Sequence, residues 1–117
     1  HLHIGFPDHA RERRIVRARV EGLEESLLDQ MVSFVQSVRD VDIKKRPSIA
    51  ETVDWAKTLL LLHATALDET FVRDTLNVLL KHESDIAVIG PEVPKMLREA
   101  IAQKPGSRTA SGYPDLG

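Results

Sequence analysis

The chain has 117 residues, 42% hydrophobic and 29% charged, which is the span of one globular domain and argues against wholesale disorder. It has no cysteine, which excludes a disulfide scaffold, a thiol nucleophile and a cysteine-ligated metal, and fits a reducing, cytoplasmic setting. With 16 basic residues against 18 acidic, the net charge is −2, and this speaks against a protein held to nucleic acid by overall charge. The longest purely apolar run, Leu59 to Leu62, is far shorter than the ~20 residues that span a bilayer, and no signal peptide is visible.

Taken in chain order, Leu2 to Phe6 reads as a short strand with no partner strand elsewhere. A lone strand cannot satisfy its backbone groups, so the sheet it belongs to is expected in a preceding part of a longer chain. The start at His1 and not at Met fits that expectation. Asp8 then reads as an N-cap, because its carboxylate can accept from the first free N–H groups of a helix. That helix should run to about Arg19 and end at Gly22. It carries Arg11, Arg13, Arg14, Arg17 and Arg19, with Ile15, Val16 and Val20 as an apolar minority.

A second helix is expected over about Glu24 to Arg39. Leu23, Leu27, Leu28, Met31, Phe34, Val35 and Val38 recur at steps of three and four and make one broad apolar face. Asp42 to Pro47 reads as a basic loop, with Pro47 turning Arg46 away from helical geometry. Ser48-Ile49-Ala50-Glu51 is a capping box, in which Ser48 caps and Glu51 reaches back to the Ser48 N–H.

The third helix should run from there to about Ala64. Ile49, Val53, Ala56, Leu59, Leu60 and His63 share one side, and Trp55, Leu61 and Leu62 cover the others, a pattern that predicts the central helix of a bundle. Asp68 caps a fourth helix to about His82, with Phe71, Val72, Leu76, Leu79 and Leu80 inward. Ser84 to Ile89 reads equally as a buried extended segment or as a helix ended by Gly90. Pro91 at a first helical position starts a fifth helix, about Glu92 to Gln103. From Lys104 the composition turns to Pro, Gly, Ser and Thr without period, which reads as a disordered tail.

Few residues in this pattern carry chemistry. Of the 5 histidines, His1, His3, His9, His63 and His82, no pair has the i, i+4 spacing with a third ligand in view, so surface or half-buried histidines are expected. His63, beside the leucine run, reads as a core-edge side chain. The carboxylate pairs Glu24-Glu25, Asp40/Asp42 and Asp68-Glu69 are accounted for as helix-end charge or solvated loop. There is no G-x-S-x-G turn, no G-x-x-x-x-G-K-[ST] loop and no G-x-G-x-x-G.

The arginine-rich helix is the one charge anomaly. It reads either as a solvated face with Asp8, Glu12 and Glu21 as partial partners, or as a contact for a polyanion or an acidic protein surface. Aromatic residues are only 4% and none interleaves the run, which favours a protein surface or nucleotide over nucleic acid. Lys44, Lys45 and Arg46 before a helix N-terminus read either as an ordinary basic loop or as an anion site.

Three runs resemble one family. Leu2-His3-Ile4-Gly5-Phe6-Pro7-Asp8 followed by Arg11-Glu12-Arg13-Arg14-Ile15-Val16 resembles the join between the last core strand and the lid of MoxR-type AAA+ ATPases. Arg46-Pro47-Ser48-Ile49-Ala50-Glu51-Thr52-Val53-Asp54-Trp55-Ala56 resembles the start of the lid helix in a MoxR branch that reads P-S-x-A-E-T-x-D-W-A. Leu76 to Lys81 is similar to that branch's closing lid helix. Together they span about residues 2 to 85, and the middle run is the most specific of the three.

The resemblance implies that the Walker loops, catalytic carboxylate and arginine finger lie in an N-terminal α/β core, and that residues 1–7 finish that core and link it to the lid. It implies ATP and Mg as cofactors of the parent chain, with none expected for these residues alone. Ile15 is then a candidate to line the adenine pocket. AAA+ lids commonly carry a sensor arginine two residues after the serine of this helix start; here that position is Ala50, which cannot donate a charge-assisted hydrogen bond. Either Arg46 or Lys45 substitutes from the loop, or this branch senses nucleotide without that contact. The nucleotide-site candidates are thus Ile15, Arg46, Ser48 and Ala50. The implied partners are the core of the same chain, neighbouring subunits of a ring, and a client, often one with a von Willebrand A-type domain.

The expected fold is all-α: a compact bundle of four to five helices over 8–103, then a disordered tail over 104–117. Leu28, Met31, Val35, Val53, Ala56, Leu60, Val72, Leu76 and Leu79 should form its centre. The expected function is an ATPase lid that closes over ATP and couples nucleotide state to motion between subunits of a remodelling machine. These residues alone would carry no catalytic group. The rivals are a free-standing helical adaptor that docks partner proteins through the arginine-rich helix, and a small nucleic-acid-binding domain.

Overall fold

The computed structural model describes residues 6–102 and is all-helical there, with no strand among the described residues. Six helices follow one another: α1 (His9–Arg19), α2 (Glu25–Arg39), α3 (Ile49–Leu61), α4 (Glu69–Leu79), α5 (Glu83–Ile89) and α6 (Val93–Ala102). Of the predicted strand Leu2–Phe6, only Phe6 falls among the described residues, and the predicted tail from Lys104 lies outside them.

Three helix starts follow from local side-chain chemistry. Asp8 accepts from the Arg11 N–H at 2.9 Å and Asp68 from the Phe71 N–H at 2.8 Å. At α3 both halves of the capping box form: Ser48 Oγ accepts from the Glu51 N–H, and Glu51 Oε1 accepts from the Ser48 N–H. Each bond satisfies a donor that a helix end otherwise leaves open.

Three helix ends depart from the expected bounds. α3 stops at Leu61, three residues early. His63 takes a left-handed φ of 59°, and the N–H groups of His63 and Ala64 bond back to the carbonyls of Leu60 and Leu59. That is a Schellman closure made without glycine, and it corrects the placement of His63, which is exposed and not at the core edge. α4 stops at Leu79 because Leu80 is extended. The open stretch 84–89 is helical, as α5. Gly90 is right-handed helical and does not stop the chain; Gly90–Glu92 forms a 3-10 turn that runs on into α6, so Pro91 sits in that turn and not at the start of the last helix.

The most enclosed helix is α2, not α3. Ten of its residues, from Leu27 to Arg39, are buried, because α1, α3 and α6 all pack on it. Leu61 at the end of α3 (79%) and Leu62 just after it (47%) are exposed, while Trp55 turns fully inward. Trp55 packs against Phe34 of α2, ring centroids 5.6 Å apart, and its indole N–H donates to Thr75 of α4 at 2.7 Å. Of the nine predicted central residues, eight are buried; Leu60 is only partly so.

Candidate functional site

The described surface carries an open depression of about 330 Å³ lined by Phe6, Pro7, Arg11, Ile15 and Ile49. Three segments meet there: the stretch entering α1, the first two turns of α1, and the first turn of α3. Both Ile15 and Ile49 are half-buried: Ile15 stands beside the buried Val16 on α1, and Ile49 begins at the surface the face of α3 that Val53 continues into the interior. The depression is therefore apolar on two walls, aromatic on a third, and has one cation, Arg11, at its edge.

Beneath it lies a buried polar cluster. Glu12 and Arg39 are both completely buried and meet as a bidentate pair, Nη1 to Oε1 at 2.6 Å and Nη2 to Oε2 at 2.7 Å. Arg39 Nε donates to the Pro47 carbonyl at 2.9 Å, and its guanidinium lies 4.5 Å from the centre of the Phe6 ring. Gln36 donates to Glu12 at 2.8 Å and reaches the Pro7 carbonyl at 3.2 Å. The Thr52 hydroxyl lies 2.9 Å from Glu12 Oε2 and 3.2 Å from the Ser48 carbonyl. Buried charges are tolerated only when paired and hydrogen-bonded in this way. Sequence reading passed over this cluster, although a signal existed: Glu12 sits on the α1 stripe with Val16 and Val20, and Arg39 on the α2 stripe with Met31 and Val35.

At the start of α3 the structure places Ser48 half-buried in its capping box and Ala50 exposed. Of the two readings of this start, an ordinary basic loop or an anion site, the structure fills the donors with the protein's own carboxylates. Asp85 of α5 accepts from the backbone N–H groups of Lys44 (2.8 Å) and Lys45 (3.0 Å). Glu51 accepts from the Ser48 N–H, and from Lys45 Nζ at 3.1 Å. Burial pushes both carboxyls up, but the donated N–H bonds and the nearby lysines outweigh it, so both lie below the ordinary carboxylate range. Arg46 is anchored through Nε to the Arg39 carbonyl at 2.7 Å, which leaves its two terminal nitrogens without a hydrogen bond among the described residues.

The arginines of α1 divide. Arg13 pairs with Glu25 and Asp29, and Arg17 with Glu25; these partners on α2 replace the expected Asp8, Glu12 and Glu21. Asp29 Oδ2 is buried and unbonded. Arg11, Arg14 and Arg19 are exposed and make no ion pair with the described residues. His9 bonds Ser33 Oγ at 3.0 Å, and among the described residues no three metal-ligating side chains come together. No described helix is long and apolar enough to cross a membrane.

Of the four predicted site residues, Ile15 lines the depression. Ser48 and Ala50 flank Ile49 at its edge in sequence, and Arg46 stands two residues before Ser48. Comparison with family models, with curated proteins and with solved structures returned no match.

Proposed function

We propose that these helices are the lid of a MoxR-type AAA+ ATPase, closing over ATP bound mainly by an N-terminal core and passing nucleotide state to neighbouring subunits of a ring. The sequence resemblance motivates the reading. The observation that carries it is the convergence of Phe6, Ile15 and Ile49 on one open depression that Arg11 also lines, since the two family-like runs that contribute them are separated by some thirty residues. The flat aromatic faces of a base could stack between such walls, and the lid would contribute no reacting group: it excludes water and orients the base. Mg and the attacking water would be held by the core. A client with a von Willebrand A-type domain belongs to the same proposal.

Two experiments test it. The same open reading frame should encode a G-x-x-x-x-G-K-[ST] loop upstream of His1; a reading frame without one rejects the proposal and leaves the helical adaptor, for which exposed Arg14 and Arg19 offer a docking face. In the full chain, Ile15→Asp should raise KM for ATP by about tenfold or more, because a base stacked there would have to desolvate an unpaired carboxylate; an unchanged KM removes Ile15 from the site. For the missing sensor arginine, the geometry favours Arg46 over Lys45, whose ammonium is already bound to Glu51. Arg46→Ala should then lower ATP turnover by about 10²-fold, and Lys45→Ala should leave it near its starting value.

A further inference from the structure

We infer that the buried Glu12–Arg39 pair is the positioning element of the Phe6–Ile15–Ile49 depression, holding all three of its walls in one mutual geometry. The inference takes only the ligand's identity from the proposed function; the positioning itself is a property of this chain. Each wall is tied to the same pair by its own bond. The α1 wall carries Glu12 itself, three residues before Ile15. The entering stretch is tied through Gln36, which bonds both Glu12 and the Pro7 carbonyl, and through the Arg39 guanidinium beside the Phe6 ring. The α3 wall is tied through Arg39 Nε on the Pro47 carbonyl and through Thr52, which lies between Glu12 and the Ser48 carbonyl.

The chemistry suits orientation better than cohesion. A guanidinium is planar with donors in a fixed fork, so Glu12 and the Pro47 carbonyl together fix both its place and its plane. Apolar packing at the same site would hold the bundle as firmly, yet it is non-directional and would leave the three walls free to shift against one another. Glu12 and Arg39 do not line the depression, so they act through Phe6, Ile15 and Ile49 and are positioning residues.

The test separates orientation from folding. In the full chain, Glu12→Leu/Arg39→Met should stay folded, with an unfolding midpoint near the parent's and well above that of either single variant. Amide hydrogen exchange at position 12, Ser48 and Thr52, whose N–H groups are bonded to the Asp8 carbonyl, the Glu51 carboxylate and the Ser48 carbonyl, should speed up by about tenfold, and KM for ATP should rise by about tenfold with kcat little changed. Exchange and KM both unchanged in the folded double variant overturn the inference. Should that variant not fold, two milder ones decide the matter. Thr52→Val should speed exchange at Ser48 alone, and Gln36→Leu at Arg11 and Glu12 alone, whose N–H groups are bonded to Asp8 in the entering stretch; no response, or the same response everywhere, overturns it. Exchange needs no nucleotide. A wall-specific exchange pattern in a chain that binds no ATP therefore supports the positioning role and rejects the lid.

Discussion

At Leu59 the side chain is fully enclosed, whereas its neighbour Leu60 is only partly covered and rests near Gly22 at the turn after α1. Leu59→Ala should therefore cost about 2–5 kcal/mol, and Leu60→Ala markedly less, because a partly exposed site loses less transfer energy and leaves a smaller cavity; urea unfolding of the two variants checks the order. Equal losses would mean that Leu60 is as deeply packed as the periodic pattern of α3 first suggested. Gly22 itself has a φ of 95°, and a Cβ there would meet only Leu60 at 3.6 Å. Gly22→Ala should cost about 1 kcal/mol or more through backbone strain and not through a clash. His63 poses the opposite case. It holds a left-handed position that glycine fills without penalty, so His63→Gly should stabilise the protein by about 0.5–1 kcal/mol in the same assay. Its burial was misread because a left-handed closure needs glycine to announce it in a sequence, and here a histidine stands in that place.

Between elements, what was legible depended on sequence distance. The caps at Asp8, Ser48 and Asp68 act across three residues, and all three formed as read. The pairing of α1 with α2 acts across eight to 24 residues: Arg17 meets Glu25, Arg13 meets Asp29, and His9 meets Ser33. Each step of four down α1 matches a step of four back along α2, as an antiparallel pair requires. Complementary stripes were present in both sequences, yet nothing local says which stripe faces which. The link between α5 and the basic loop spans about forty residues and was invisible for the same reason.

That link predicts a pH response. Asp85 and Glu51 are both held below the ordinary carboxylate value in the folded state, so over that window the unfolded chain binds more protons than the folded one. Their stabilisation is complete above pH ~4–5 and is lost as pH falls through the folded values. Urea midpoints should drop as the solution is acidified below about pH 4. Asp85→Asn should lower the neutral-pH midpoint, since one amide oxygen cannot replace two carboxylate oxygens on two N–H groups, and should flatten the acid limb. An acid limb as steep in Asp85→Asn as in the parent chain would exclude Asp85 as a source of that response.

For the molecule as a whole, α2 is the axis on which α1, α3 and α6 assemble. The sequence pattern pointed to α3 because α3 is apolar nearly all round, and periodicity measures apolarity, not enclosure. α2 carries Asp29, Ser33 and Arg39 among its buried residues, and those polar positions lowered its apparent centrality while marking where its neighbours grip it. Arg39 makes the point energetically. With Glu12 it spans 27 residues of sequence in a site closed to water, so removing either partner strands a charge that has neither solvent nor counter-ion. Arg39→Met alone and Glu12→Leu alone should each destabilise the fold by about 3–5 kcal/mol, while the two together should recover most of that loss. Chemical denaturation of the four proteins in the cycle measures the coupling directly. If the double variant instead loses the sum of the singles, the pair is not coupled, and the fold depends on Glu12 and Arg39 through shape and volume, with their charges contributing nothing to each other.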